Sequence, residues 1–278
     1  MLKTRKRRII AVILGILLLF VLYFGWGIIR SLYLESTLIQ VALPSDQDRT
    51  QTVRIAQVSD LHLAIYGENN QELVDLVASK KPDIIVATGD MIDVRATSID
   101  DTVSLFERLA RIATTVYSLG NHEIDRPDLY ELLVALEGVG VRIVHNSAVS
   151  AYVNGMELRI GGLYTAEYLY ELDDDGQIDI LLCHFPHKLD VFAAYHVPLT
   201  FCGHTHGGQF RLPFLDVALY APGQGWFPQY TTGLYEKDGS YMIVSRGLGN
   251  SSFPFRVHNP PEVIIADITY TNMIQDAQ

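Results

Sequence analysis

Cysteine is nearly missing: only Cys183 and Cys202 occur among 278 residues. Two cysteines cannot build a disulfide scaffold and lack the paired spacing of a structural zinc site, so an apolar core has to hold the fold. Basic side chains are scarce beyond the N-terminus. Residues 31–278 set 15 Lys and Arg against 32 Asp and Glu, a net charge of −17 that matches nucleic acid poorly. No nucleic-acid partner is expected. Internal repeats and low-complexity segments are lacking too, and a chain that is 49% hydrophobic and 19% charged lies far from disordered compositions.

Charge is absent altogether from the 21 residues Ile9 to Ile29. At about 1.5 Å per helical residue this run spans roughly the 30 Å core of a bilayer. It exceeds the h-region of a signal peptide and no A-x-A-like cleavage site follows, so it reads as a retained anchor. Tyr23, Trp26 and Tyr33 gather toward its far end, where amphipathic rings settle at an interface. Five basic residues (Lys3, Arg5, Lys6, Arg7, Arg8) precede the run and only Arg30 closely follows it. The positive-inside bias therefore predicts a single-pass protein in the cell membrane with its N-terminus in the cytoplasm and the rest extracytoplasmic.

The organisation expected is an anchor over residues 1–30, a tether over 31–52 that can include a first edge strand, a domain over 53–270 and a tail over 271–278. From Val53 onward, short β-branched runs alternate with amphipathic stretches. Val53 to Val58, Asp83 to Ala87 and Thr115 to Leu119 read as strands; Gln71 to Lys80, Ile99 to Ile112 and a stretch from Pro127 to about Leu136 read as helices. That order calls for a largely parallel sheet with crossover helices. The second half is richer in strands, with Asn154-Gly155 as a hairpin signal, followed by Ile178 to Cys183, Leu199 to Cys202, Tyr241 to Ser245 and Val263 to Thr269. Two stacked sheets flanked by helices is the natural assembly.

Five clusters fall just after these strands, where α/β sheets present ligands. They are Asp60-Leu61-His62, Gly89-Asp90-Met91-Ile92-Asp93, Gly120-Asn121-His122-Glu123, Cys183-His184 and Gly203-His204-Thr205-His206. A lone Asp-x-His is more often a capped turn than a metal ligand, but five such clusters in one chain point to a metal site. If the segments are extended, Asp60 with His62 and His204 with His206 each project to one side as a clamp. Extension would also put Cys202 on the metal side and Cys183 on the opposite face, unbridged. Carboxylate, imidazole and amide oxygen together suit manganese, iron or zinc better than calcium.

The ordered set D-x-H, G-D-x-x-D, G-N-H-E, H and G-H-x-H resembles the calcineurin-like metallophosphoesterase superfamily over about Val53 to Thr269. Gly207-Gly208-Gln209, Ser245 to Gly249 and Pro261-Glu262 resemble more narrowly its bacterial membrane-associated or exported phosphodiesterases. The resemblance implies an α/β (α+β) sandwich: two mixed β-sheets packed face to face and flanked by helices, here behind an N-terminal transmembrane helix. It implies a first divalent ion on Asp60, His62 and His206, a second on Asn121, His184 and His204, Asp90 between them, and His122 as the catalytic group facing the phosphate or leaving oxygen. Manganese is favoured, with zinc or iron as alternatives.

Asp93 and Glu123 are expected to accept hydrogen bonds that orient histidines. Two divalent ions less the charges of Asp60 and Asp90 leave a positive pocket able to receive phosphate on an acidic domain. The expected function is a membrane-anchored phosphoesterase that hydrolyses phosphodiester or related bonds by attack of a metal-bridging hydroxide, on substrates that include lipid or envelope phosphoesters. Two alternatives stand: a pyrophosphohydrolase of a UDP-linked lipid precursor, the substrate of some relatives, and a non-catalytic metal-binding module. Arg246 and Arg256 either grip a substrate phosphate or fix loops. Pro213-Phe214-Leu215, Trp226-Phe227 and Phe253-Pro254-Phe255 are expected to pack inside hairpins rather than form an apolar rim for lipid.

Overall fold

The computed structural model describes residues 2–45, 50–166, 169–174, 177–212, 217–250 and 253–272. Its first element, α1 (Leu2–Arg30), is a 29-residue helix. The charge-free run makes it long and apolar enough to cross a membrane. The stretch read as a tether supplies β1 (Glu35–Ser45), whose inward residues Ile39, Val41 and Leu43 alternate with exposed ones, as an edge strand requires.

The first half then runs β2 (Gln51–Val58), α2 (Gln71–Lys80), β3 (Ile84–Thr88), α3 (Asp100–Ala110), β4 (Thr114–Ser118), α4 (Asn121–Ile124), α5 (Leu129–Gly138) and β5 (Arg142–Val144). Asp100 and Asp101 favour the positive N-terminal end of α3, whose Leu105, Phe106 and Leu109 lie on its buried face. Lys81 closes α2 in a left-handed conformation just before Pro82. The second half runs β6 (Ser147–Val153), β7 (Met156–Leu163), α6 (Leu169–Asp174), β8 (Ile180–Cys183), α7 (Leu189–Ala194) and β9 (Leu199–Cys202). Four two-residue strands follow, β10 (Arg211–Leu212), β11 (Val217–Ala218), β12 (Tyr220–Ala221) and β13 (Gly225–Trp226), then β14 (Gly233–Lys237), β15 (Ser240–Val244) and β16 (Glu262–Asn272).

Two six-stranded mixed sheets result, in the orders β1-β16-β2-β3-β4-β5 and β14-β15-β9-β8-β7-β6. Strands β2 to β5 are mutually parallel, as are β7, β8, β9 and β15. Period-two alternation divides their side chains between two sides. Ile84, Val86, Ile180, Leu182, Leu199 and Phe201 meet between the sheets. Ile85 and Ala87 pack with α2 and α3, while Leu181 and Val244 pack with α6 and α7. Emptying one of these sites, as in Phe201→Ala, is expected to cost about 3–5 kcal/mol.

Cys183 and Cys202 sit together on the helix side of the second sheet, both fully buried and both free thiols. The expectation of opposite faces fails because it counted alternation back from His204, which lies beyond the end of β9 in a left-handed turn.

Candidate metal centre

Every expected ligand follows a strand at its carboxyl end, and both sheets open at the same end of the molecule. Asp60 and His62 follow β2, Asp90 follows β3, Asn121 opens α4 after β4, His184 follows β8, and His204 and His206 follow β9. One donor atom each from Asp60, His62 and His206 lies within 4.8 Å of the others, and the same holds for Asp90, His184 and His204. Asp90 Oδ2 stands between the groups, 3.1 Å from His184 Nε2 and 3.9 Å from His62 Nε2. The Nε2 atoms of His62 and His206 approach to 3.3 Å, and His204 Nδ1 to 3.1 Å of His184 Nε2.

The clamps are not extended. Asp60, His62, Asp90, His204 and His206 all have φ between 48° and 69°, a left-handed conformation that costs such residues energy and recurs where geometry is imposed by function. Close backbone approach holds them there. A Cβ at Gly120 would collide with Asp90 Oδ1, and one at Gly203 would collide with Ser59 Oγ and Asp60 Oδ2.

The supporting bonds are specific. Thr88 O lies 2.7 Å from His184 Nδ1 and Gly249 O lies 3.2 Å from His206 Nδ1, so Nδ1 of each ring donates to a carbonyl and Nε2 is turned toward the cluster. The His204 backbone N–H and the Ser59 hydroxyl donate to the Asp60 carboxylate. Glu123, expected to orient a histidine, instead accepts from the backbone N–H groups of Asp90, Ile92 and Gly120 at 2.8, 3.1 and 2.8 Å. It fixes the main chain that carries Asp90. Asp93 reaches to 3.4 Å from His62 Nδ1 but spends its hydrogen bonds on Arg95.

Electrostatics suit a cation. Burial pushes His62 down to about 4 and His204 to about 3, and holds His206 well below its ordinary value, so all three are neutral at pH 7 and offer lone pairs. Burial pushes the Asp60 carboxyl up to about 7. For His184 burial opposes protonation, but Asp90 at 3.1 Å outweighs it and the ring is raised to about 10. Burial likewise opposes the Asp90 charge, yet His184 holds that carboxyl below its ordinary value. Asn121 Oδ1 is buried with no hydrogen-bond partner. An orphaned amide oxygen beside converging imidazoles and carboxylates is the donor chemistry that borderline divalent ions take, so these residues fit a two-ion centre.

His122 is half-buried, with its ring edge-on to His62 at 4.5 Å. Its Nδ1 accepts the Val94 N–H at 3.2 Å, which leaves the proton on Nε2. His62, Asp93 and His122 form a third close group, which overlaps the first through His62 and which sequence spacing did not disclose.

Both arginines make bonds within the protein. Arg246 pairs with Glu262 at 2.7 Å, and buried Arg256 donates to the carbonyls of Arg246 and Gly249 and to Asn250 Oδ1. Trp226, Phe227, Phe253 and Phe255 remain 72, 68, 45 and 38% exposed, against the expectation that they pack inside hairpins. Phe253 and Phe255 lie on the long connection between β15 and β16 rather than inside a hairpin, and lean edge-on against Phe210. Pro213, Phe214 and Leu215 lie outside the described residues.

A family model described as calcineurin-like phosphoesterase matches residues 53–208. The chain is 30% identical to an uncharacterized metallophosphoesterase of Bacillus subtilis, YkuE, over 79% of this chain and 80% of the relative. It is 31% identical to an uncharacterized metallophosphoesterase of Aquifex aeolicus, over 78% of this chain and 85% of the relative. Similarity to the phosphodiesterase YaeI of Escherichia coli is 25% identity, over 83% of this chain and 87% of that one.

Proposed function

The chain belongs to the calcineurin-like phosphoesterase family and is a metal-dependent phosphoester hydrolase, and from that premise we propose a membrane-anchored binuclear phosphodiesterase. The observation that carries the reading is the pair of ligand groups joined through Asp90. Asp60, His62 and His206 would hold one ion, Asn121, His184 and His204 the other, with Asp90 shared. When bound, divalent ions of this kind supply Lewis acidity toward phosphoryl oxygens and bring the ionisation of water near neutral pH.

The chain's own residues do the positioning. Glu123 holds the Asp90 main chain, and Thr88 and Gly249 keep the rings of His184 and His206 turned. His122, its Nδ1 engaged by Val94, offers Nε2–H to a phosphoryl oxygen or to the departing alkoxide, where a hydrogen bond stabilises developing charge. We take α1 as the anchor, and this placement supports lipid or envelope phosphoesters as substrates.

The test is full-length protein in detergent with manganese, assayed against phosphomonoesters, phosphodiesters and glycerophospholipids alongside metal analysis. Diester turnover with two ions per chain is expected. Bound metal without turnover on any member would favour the non-catalytic module.

A further inference from the structure

Three residues spaced by four, Tyr23 and Gly27 on α1 and Ser31 just beyond its end, face the domain, while Leu22, Phe24, Trp26 and Ile29 stay exposed. The His258 ring packs on Tyr23 at 4.3 Å and on Trp26 at 5.3 Å between centroids, and the His258 N–H donates to Gly27 O at 3.1 Å. The Ser31 hydroxyl donates to Gly27 O and accepts the Asn259 N–H at 2.9 Å. Asn259 Nδ2 in turn donates to the carbonyl of His206 at 2.6 Å. The helix is therefore bolted to the domain beside the candidate centre.

This docking sets a depth. Ile9 to Leu22 alone would span only about 21 Å, short of the roughly 30 Å hydrocarbon core. Crossing requires the turns from Tyr23 to Ile29 as well, and those are the turns that touch the domain. The loop carrying His258 must then lie within about 9 Å of the end of the span, at the depth of the headgroup and acyl boundary.

The surface next to that loop is apolar. Leu32, Leu63, Ile65, Phe253 and Phe255 are 70, 54, 66, 45 and 38% exposed. A groove of about 230 Å³ runs between the helix end and the domain, lined by Ile28, Leu32, Ile65 and Phe255 among others. It shares Ala64 and Ile65 with a second cleft that reaches Leu63 and His62. Arg30 over the Trp26 ring, 6.0 Å from its centroid, marks the interfacial level on the helix itself.

We propose that the domain face carrying Leu63, Ile65, Phe253 and Phe255 is seated in the headgroup layer of the bilayer that α1 crosses, so that the groove, and the adjoining cleft that reaches His62, open into lipid rather than into bulk water. The inference rests on α1 spanning the membrane. Seating is apolar, because a domain of net negative charge gains nothing from anionic headgroups, and it should persist in uncharged phosphatidylcholine.

The test places an environment-sensitive fluorophore on single introduced cysteines in the full chain, reconstituted in phosphatidylcholine bilayers that carry nitroxide lipids of shallow or deep label. Cys183 and Cys202 are fully buried, so the introduced thiol is the reactive one. The variants are Leu18→Cys in the helix, Ile65→Cys and Phe255→Cys on the face, and Tyr152→Cys, 75% exposed on β6, as reference. Expected are deep quenching at 18, shallow quenching at 65 and 255, and none at 152. Quenching at 18 with positions 65 and 255 behaving like 152 overturns the seating and leaves the anchor standing. Loss of quenching at 18 overturns both. Leu63→Cys and Phe253→Cys, also exposed, repeat the reading should either face variant fail to fold.

Discussion

Asp60, His62, Asp90, His204 and His206 sit in the left-handed region of backbone space, and that shared feature separates what their identities declare from what their geometry does. Residue type and order were enough to mark them, since carboxylates and imidazoles at strand ends are few. Their conformation was hidden, because Asp and His adopt positive φ more often than most side chains but far less readily than glycine, so their presence does not announce it. Alternation along an extended chain kept Asp60 with His62, but it paired His204 with His206, which fall in different ligand groups, and it misplaced Cys202.

Substitutions should separate the roles. Asp90→Ala removes the group between both ligand sets and should abolish activity with loss of bound metal; metal content equal to wild type would sink the shared-ligand assignment. His122→Ala should keep both ions and lose about 100- to 10,000-fold in turnover. Glu123→Gln turns an amide donor toward the N–H groups of Asp90, Ile92 or Gly120 and should weaken metal binding about 10- to 100-fold, read by competition with a chelator.

Proton linkage gives a further check. In the metal-free chain at pH 7, His184, raised to about 10, holds a proton and Asp60, raised to about 7, is partly protonated. Both protons must leave on loading, whereas His62 and His204, lowered to about 4 and about 3, have none to lose. Affinity should therefore rise with pH from the neutral range toward 10, by up to about tenfold per unit for each proton released. Calorimetry in buffers of different ionisation enthalpy should show net proton release; heats independent of buffer would contradict it.

At the scale of elements, the strongly periodic segments were legible and the short or half-exposed ones were not. α2 matches its expected bounds and β2, β3 and β4 lie within two residues of theirs, because each buries apolar side chains at a clear period. The edge strand β1, which the tether reading allowed for, alternates buried with exposed and contains Pro44, so its full extent did not stand out. Four-residue α4 is hidden inside the Asn121-His122-Glu123 motif, too short for any period to register.

The docking of α1 was beyond the sequence altogether, since nothing in Gly27 announces that His258 packs on it. A Cβ at Gly27 would lie 2.5 Å from His258 Nε2, while one at Gly25 meets nothing within 4 Å. Gly27→Ala should thus overpack the contact at a cost of about 1–3 kcal/mol and leave Gly25→Ala near wild type. Hydrogen exchange at the His258 and Asn259 amides, which bond to Gly27 O and Ser31 Oγ, should quicken only in the first variant. Equal exchange in both would mean that the helix does not hold this loop.

For the whole molecule, charge is arranged in two blocks, and the arrangement bears on which side of the membrane the centre works. Residues 1–30 hold six Lys and Arg and no acid, while residues 31–278 carry a net −17. Basic residues resist translocation and acidic domains do not, so the proposal that follows from this bias is that residues 31–278 lie outside the cytoplasm. The outer face is where lipid and envelope phosphoesters are exposed. Nucleotide-linked lipid precursors are not normally supplied there, and a pyrophosphohydrolase of such a precursor needs the opposite placement, its domain against the cytoplasmic leaflet. A reporter active only outside the cytoplasm, fused after Gln278, should therefore be active, and a reporter active only in the cytoplasm should be silent at the same position. The reverse pattern would overturn the outward placement and move the nucleotide-linked lipid ahead of envelope phosphoesters. It would leave the ligand geometry untouched, because the two ligand groups and the Asp90 between them depend on the sheets and not on the side of the bilayer they face.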